Sequence, residues 1–320
     1  MLLALIIDLV IGDVPNSVHP LRWMGNILNK IDGKIKRDGR RSTIIKGALS
    51  YFLVLAIFAL TTITILALVR ELLGDIAWII VCAFFFKLTF AVFSFRKHCK
   101  PIQNDLYEGN AIAAAAKTQM IVSRDTKGMS KEHIASSCTE TISENYADSV
   151  CSPGLFFGLF GMFGAWMFRC ANLMDAMWGY LNEKYGDIGY FPAKLDDVLG
   201  YLTSRISIFF IAAASVFVGG NPRNAISTAM EEHNKTSSPN SGWPMAAAAG
   251  ALGIKMEKVG VYTMGKGELP TTNDITRCYS LIETAAVIFM ILVTVPLFVF
   301  VGVHIQVYME DVILRLLGIA

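Results

Sequence analysis

Residues 47–69 run for about 23 positions without one charged side chain, and nothing else in the sequence restricts the fold as much. A helix rises about 1.5 Å per residue, so roughly 20 apolar residues cross the ~30 Å hydrocarbon core of a bilayer. No water is available there, so each backbone N–H and C=O must be bonded within the segment, which makes it an α-helix. Residues 76–95 form a second such run, interrupted only by Lys87. Residues 284–303 form a third, with Pro296 inside it, which membrane helices tolerate. Three shorter apolar runs, 2–12, 154–168 and 206–218, have the lengths of interfacial, buried or re-entrant segments. Composition agrees, with 17% charged residues against about 25% in soluble domains. The expected fold class is therefore all-α: a polytopic helical integral membrane protein, a single membrane-embedded domain over residues 1–320, with helical motif segments between the spans.

The opening MLLALIIDLVIGD has no basic residue ahead of its apolar run and carries Asp8 within it, so it does not read as a signal peptide. Lys30, Lys34, Lys36, Arg37, Arg40, Arg41 and Lys46 precede the first span, and Arg96, Lys97 and Lys100 follow the second. Between those spans lie only Arg70, Glu71 and Asp75. The positive-inside rule puts both basic clusters, and the polar stretch 96–153, on the cytoplasmic side of the cell membrane. A dip and return of 154–168 would bring 169–205 to the same face. The six cysteines include no C-x-x-C pair, so neither zinc nor a disulfide framework is expected. A net charge of +2 gives no footprint for nucleic acid.

Four groups of residues can carry chemistry. Asp8, Asp13 and His19, with Gly12, Pro15 and Pro20, form an acidic turn at the end of the N-terminal apolar run. Glu140, Glu144 and Asp148 recur at i, i+4 and i+8, so they share a helical face. No Lys or Arg stands between Lys131 and Arg169 to neutralise them, which points to a Mg²⁺ or an ammonium from outside, with Asn145 interleaved. Just upstream, Arg124 can fork onto a phosphate or carboxylate, with Asp125 and Thr126 beside it. Asn172 and Asp175 share a face, followed by Lys194, Asp196 and Asp197; such groups beside an apolar run need a cavity or a partner. The turn-rich Ser237-Ser238-Pro239-Asn240-Ser241-Gly242 can aim backbone N–H groups at an anion. Lys87, inside its apolar run, is a functional candidate by position. No P-loop, H-E-x-x-H or G-x-S-x-G occurs.

In this order the groups resemble the CobD/CbiB family of cobalamin biosynthesis. Asp8, Gly12, Asp13, Pro15, His19 and Pro20 match the family's opening D-x-x-x-G-D-x-P-x-x-x-H-P. The run IVSRDT is similar to its I-V-G-R-D-T, and ETISENYADSV to its E-S-V-A-E-N-x-x-D-G-V. Asn172, Asp175, Met177, Gly179 and Tyr180 sit where the family has N-T-L-D-S-M-x-G-Y. Leu195, Asp196 and Asp197 match A-R-L-D-D, and SPNSGWP matches S-P-N-x-G-W-P. Ser123, Ser149, Gly200, the stretch Thr203-Ser204-Arg205 and Met245 depart from the pattern.

The resemblance implies ATP-dependent amide formation between the f propionate of adenosylcobyric acid and an amino-alcohol phosphate, with Mg²⁺ as cofactor. It implies that Glu140, Glu144, Asp148 and Asp175 bind metal or amine, and that Asp196 or Asp197 takes the amine proton. Arg124, Lys87, Ser238 and Asn240, with Asp125, Thr126, Asn145 and Asn172, would bind phosphate or carboxylate. The partners so implied are these two substrates, the bilayer and other membrane enzymes of corrinoid assembly. An AmpE-like signalling protein would be expected to lack much of the R-D-T and S-P-N motif set. A transporter would be expected to show paired half-helices in two repeats, which the sequence lacks.

Overall fold

A computed structural model describes residues 2–319. It is helical apart from one two-stranded hairpin. The helices are α1 (Leu2–Val10), α2 (Pro20–Asp32), α3 (Arg40–Lys87), α4 (Ser94–Tyr107), α5 (Ala111–Thr118), α6 (Lys131–Tyr146), α7 (Ser152–Trp178), α8 (Tyr190–Ser215), α9 (Pro222–Glu232), α10 (Gly242–Leu252), α11 (Thr272–Phe289), α12 (Val295–Leu297) and α13 (Val303–Leu316). Strands β1 (Met256–Lys258) and β2 (Tyr262–Met264) pair antiparallel. Among the described residues four helical stretches are long and apolar enough to cross a membrane: Arg40–Lys87, Lys131–Trp178, Tyr190–Val218 and Thr272–Leu316.

Those stretches hold the long apolar runs in whole or in part and revise the short ones. The run 47–69 and the first part of the run 76–95 fall in α3, which is broken at Gly74 (φ 82°, ψ 177°). The second helix ends at Lys87, ahead of the apolar residues up to 95. The run 206–218, expected to be short or re-entrant, is the second half of a 29-residue helix. Its first half carries Lys194, Asp196, Asp197 and Arg205, and these charges hide the helix from a hydropathy reading. The run 154–168 does turn back. Gly161 has φ 62° and ψ −148°, outside any helix, and the rings of Phe156 and Phe168 stack at 6.0 Å. Twelve residues of unbroken helix would hold them about 18 Å apart.

The chain divides into two compact units, interleaved in sequence. One holds residues up to Phe90, Ser152–Leu199 and those from Ile291; the other holds Ala91–Cys151 and Gly200–Met290. In the first, α3 packs on α7. Tyr51 Oη donates to the Met167 carbonyl (3.0 Å) and Trp166 Nε1 to Thr62 Oγ1 (3.0 Å). Phe157 stacks between Phe86 and Phe298. In the second unit, α6 buries Ile134, Cys138, Ile142 and Tyr146, and Tyr146 Oη donates to the Ala285 carbonyl of α11. All eleven residues of α10 are buried. Its alanines and Gly250, where a Cβ would stand 2.3 Å from the Asn224 carbonyl, let α9 approach closely.

Candidate functional site

The second unit contains a cavity of about 250 Å³. Five pieces of chain wall it: the 121–124 turn, one face of α6, the 236–241 loop, Met245 of α10 and the β hairpin. Each is placed by its own local chemistry. Helix α6 starts at Ser130, whose hydroxyl accepts from the His133 amide, and it presents Glu140, Thr141 and Glu144 to the cavity. Thr126 anchors the turn, its hydroxyl donating to the Ala115 carbonyl (2.8 Å) and its amide to Gln119 (3.1 Å). Asp125 accepts from the Lys127 amide and so shapes the same turn. In the 236–241 loop, Ser238 Oγ accepts from the Asn240 and Ser241 amides. Asn240 is buried against Ser204 and Arg205. Gly200, a departure from the family pattern, leaves room for it, since a Cβ there would lie 2.8 Å from the Asn240 amide nitrogen. Two more departures, Ser123 and Met245, line the cavity itself.

Glu140 is the hub. It is 2% exposed, and three groups converge on its carboxylate: Arg124 Nη2 (2.5 Å), Tyr262 Oη (2.8 Å) and Ser136 Oγ (2.7 Å). Arg124 also donates to the Glu257 carbonyl, and the Glu257 amide donates to Ser136 Oγ (2.7 Å). The hairpin is thereby tied to α6 and to the 121–124 turn at once. Burial and then Glu140 raise the Tyr262 phenol well above its ordinary value, so it remains a proton donor. Glu144, one turn along, is exposed and makes no hydrogen bond or ion pair among the described residues. The Lys258 ammonium also lines the cavity with no such partner among them.

Asp148 stands elsewhere. It falls in the π-helical turn Ala147–Cys151, where the wider spiral breaks the i, i+4, i+8 register, and it does not line the cavity. Asn145 bonds back to the Thr141 carbonyl. Among the described residues no three His, Cys, Asp or Glu side chains are gathered to hold a metal. With Glu140 fully engaged, a closed three-carboxylate metal site does not fit. Mg²⁺ needs only one or two protein carboxylates when phosphate oxygens complete its shell, and Glu144 fits that lesser role.

The remaining candidates lie in the first unit. Lys87, 1% exposed, is held by Asp8 (2.9 Å) and Asp13 (2.6 Å), so its charge is matched within the protein. Burial, foremost, lowers the His19 pKa, with Asp13 opposing and Lys87 and Arg169 adding. Its Nδ1 accepts from the Leu21 amide at the start of α2 (3.2 Å), which needs the neutral ring. The folded-state pKa lies below the unfolded value of ~6.5, so this contribution is complete above that value and is lost as pH falls through the folded one. The melting midpoint of the purified protein should therefore drop between pH 7 and pH 5. His19→Asn, which keeps a capping acceptor without a titrating ring, should remove that part of the slope; an unchanged slope would exclude His19 as its source. Asn172 accepts from Arg169 (3.1 Å). Asp175 stands on α7, and Asp197 accepts from Lys194 (2.9 Å). Asp196 begins the same acidic pair on α8.

Sequence reasoning missed Lys258 and Tyr262. The strands are three residues each, too short for an alternating pattern to stand out, and Gly260 (φ 72°) was the available turn signal.

A family model described as CobD/Cbib protein matches residues 1–286. The cobalamin biosynthesis protein CobD of Dehalococcoides mccartyi is 33% identical, over 93% of this chain and 96% of its own length. The probable cobalamin biosynthesis protein CobD of Methanothermobacter thermautotrophicus is 38% identical, over 83% of this chain and 86% of its own. That of Methanothrix thermoacetophila is 36% identical, over 90% and 93%. No solved structure matches.

Proposed function

The chain belongs to the CobD/Cbib family, and from that premise we propose that this member of a cobalamin-biosynthesis family joins the f propionate of adenosylcobyric acid to an amino-alcohol phosphate, using ATP and Mg²⁺ at the cytoplasmic face of the cell membrane. The observation that carries this reading is the pairing of an unengaged carboxylate, Glu144, with an unengaged ammonium, Lys258, across one small cavity. A zwitterion with an ammonium at one end and a phosphate at the other complements both. At about 250 Å³ the cavity falls below the ~300–1,000 Å³ typical of drug-sized ligands. It suits the small amino-alcohol phosphate and not the corrinoid.

A carboxylate resists attack by an amine until it is activated. In the proposed sequence the terminal phosphoryl group of ATP passes to the propionate, giving an acyl phosphate. The ammonium first gives one proton to Glu144; the freed amine then attacks the acyl carbon, phosphate leaves, and the second proton on nitrogen goes to the departing phosphate. Lys258 and the Ser237 and Ser238 hydroxyls hold the substrate phosphate. Glu144 holds the ammonium and accepts its proton; it is better suited than Asp196 or Asp197, since Asp197 is already bonded to Lys194. Mg²⁺, when bound, would be held by Glu144 together with phosphate oxygens, and would supply neutralisation of charge on the transferring phosphoryl group. Arg124 and Glu140 set the shape of the cavity. Lys87 orders the N-terminal motif through Asp8 and Asp13.

The deciding experiment is complementation of a strain blocked at cobinamide formation. Growth on supplied cobyric acid is expected, and growth on cobinamide alone would overturn the proposal. In membranes given both substrates, Glu144→Ala should abolish amide formation. Lys258→Met removes one charged hydrogen bond, about 1.5–3 kcal/mol. It should raise KM for the amino-alcohol phosphate roughly tenfold or more, with KM for ATP unchanged; an unchanged KM for the phosphate substrate would take Lys258 out of the site.

A further inference from the structure

Helix α3 enters its apolar run behind two arginines that the fold leaves largely unused. Arg41 is exposed and has no hydrogen-bond or ion-pair partner among the described residues. Arg40 reaches only Asp187, at 3.7 Å, with 78% of its side chain exposed. Of the neighbouring cations, Arg37 and Lys184 pair with Asp32 and Lys46 with Asp38, while Lys34 and Lys36 are exposed and do not line the groove beside Arg40 and Arg41. Arg40 and Arg41 line a groove of about 540 Å³ together with Ile44, Ile45 and Tyr190.

Beyond the groove an exposed apolar face continues along the helix. From Arg41 the exposed positions recur a turn at a time through Ile45, Leu49, Phe52 and Leu53, which is one face of α3. Leu49 onward belongs to the uncharged run, so this stripe faces acyl chains. Arg41 precedes that run by six residues, about 9 Å along the axis, which is headgroup depth. The half-exposed ring of Tyr190 is of the type that settles at that level.

We propose that this groove binds one anionic phospholipid, with its phosphate between Arg40 and Arg41 and an acyl chain along Ile45, Leu49 and Phe52. Charge complementarity fixes the head, because guanidinium groups fork onto phosphate oxygens. The continuous apolar stripe below it fixes the tail. A free anion would leave the stripe unused, and an acidic protein would leave it unmatched. The site belongs wholly to the first unit and does not depend on the reaction proposed for the cavity of the second.

The test uses the full chain in non-ionic detergent, titrated with phosphatidylglycerol or phosphatidylcholine, with bound lipid counted by native mass spectrometry. Phosphatidylglycerol should bind at least about tenfold more tightly, in line with the usual worth of an arginine near an anionic headgroup. R40Q/R41Q should fall to the phosphatidylcholine level, and R41Q alone, at an exposed position without a partner, should lose part of the preference while folding normally. K97Q/K100Q, on α4, should keep it in full. Equal binding of the two lipids overturns the proposal, as does undiminished phosphatidylglycerol binding by R40Q/R41Q. Equal loss in K97Q/K100Q would mean diffuse charge and no site. Displacement of the lipid by inorganic phosphate at matched concentration would mean a free-anion site, and it too overturns the proposal.

Discussion

Replacing Glu140 with Ala is expected to lower the stability of the second unit by about 3–5 kcal/mol and to cut amide formation by on the order of a hundredfold. Glu140 is the counter-charge of Arg124, whose side chain is only 16% exposed, and the acceptor for Tyr262 and Ser136. Removing it leaves a guanidinium in a mostly dry wall and frees the hairpin from α6. The cavity then loses its shape at the edge where Lys258 stands. Removing one partner of such a pair costs more than removing both, because the survivor is left unpaired. The R124Q/E140Q double variant should therefore melt higher than Glu140→Ala in a detergent-solubilised preparation. Tyr262→Phe deletes only one bond and should cost less than either. If Glu140→Ala melted like the parent and kept its activity in membranes, Glu140 would not be the hub of this site.

That hub shows how much of the site could be read from sequence. The unneutralised carboxylates point in sequence to a Mg²⁺ or an ammonium from outside, whereas Glu140 is met by Arg124, 16 residues upstream. Glu144 makes no hydrogen bond or ion pair among the described residues. Asp148 does not line the cavity; it falls in a π-helical turn, and helical spacing arguments assume 3.6 residues per turn. The Tyr262–Glu140 bond spans 122 residues, and no local pattern encodes such a pairing. An ammonium within an apolar run needs partners, and Lys87 has Asp8 and Asp13.

The fold divides along the same line. Uncharged runs announced the long helices, since a bilayer leaves the backbone few options. Helices with charges over half their length, such as Tyr190–Val218, were concealed. The turn inside 154–168 was legible as a segment too short to cross, but its position was not. Four glycines, Gly154, Gly158, Gly161 and Gly164, recur there, and only Gly161 takes a positive φ. What singles it out comes from the far end of the chain, beyond the residues that match the family model.

Gly161→Ala is accordingly expected to destabilise the first unit by about 2–6 kcal/mol, from two sources. An L residue held at φ 62°, ψ −148° carries about 1–3 kcal/mol of backbone strain. The second source is Gln306, whose Oε1 would lie 2.2 Å from the new Cβ. That oxygen accepts from the Met162 amide (2.7 Å), a donor that the turn frees from its helix. Gln306 Nε2 in turn donates to Glu310 Oε1 (2.7 Å), which also accepts from Trp78 Nε1 (2.9 Å). Glu310 closes the chain in an ion pair with Arg70 (3.1 Å). Non-helical backbone at membrane depth survives only where protein satisfies it, and displacing Gln306 leaves buried groups unpaired at about 1–3 kcal/mol. Gly260→Ala provides the comparison: its φ is similarly positive, at 72°, but nothing lies within 4 Å of the added Cβ. It should show the backbone penalty without the clash. Melting in detergent should therefore separate the two variants clearly, and G161A/Q306A should fall short of the sum of its single changes, because both break the same bond. Equal melting of Gly161→Ala and Gly260→Ala would mean that Gln306 moves aside at no cost and does not brace the turn.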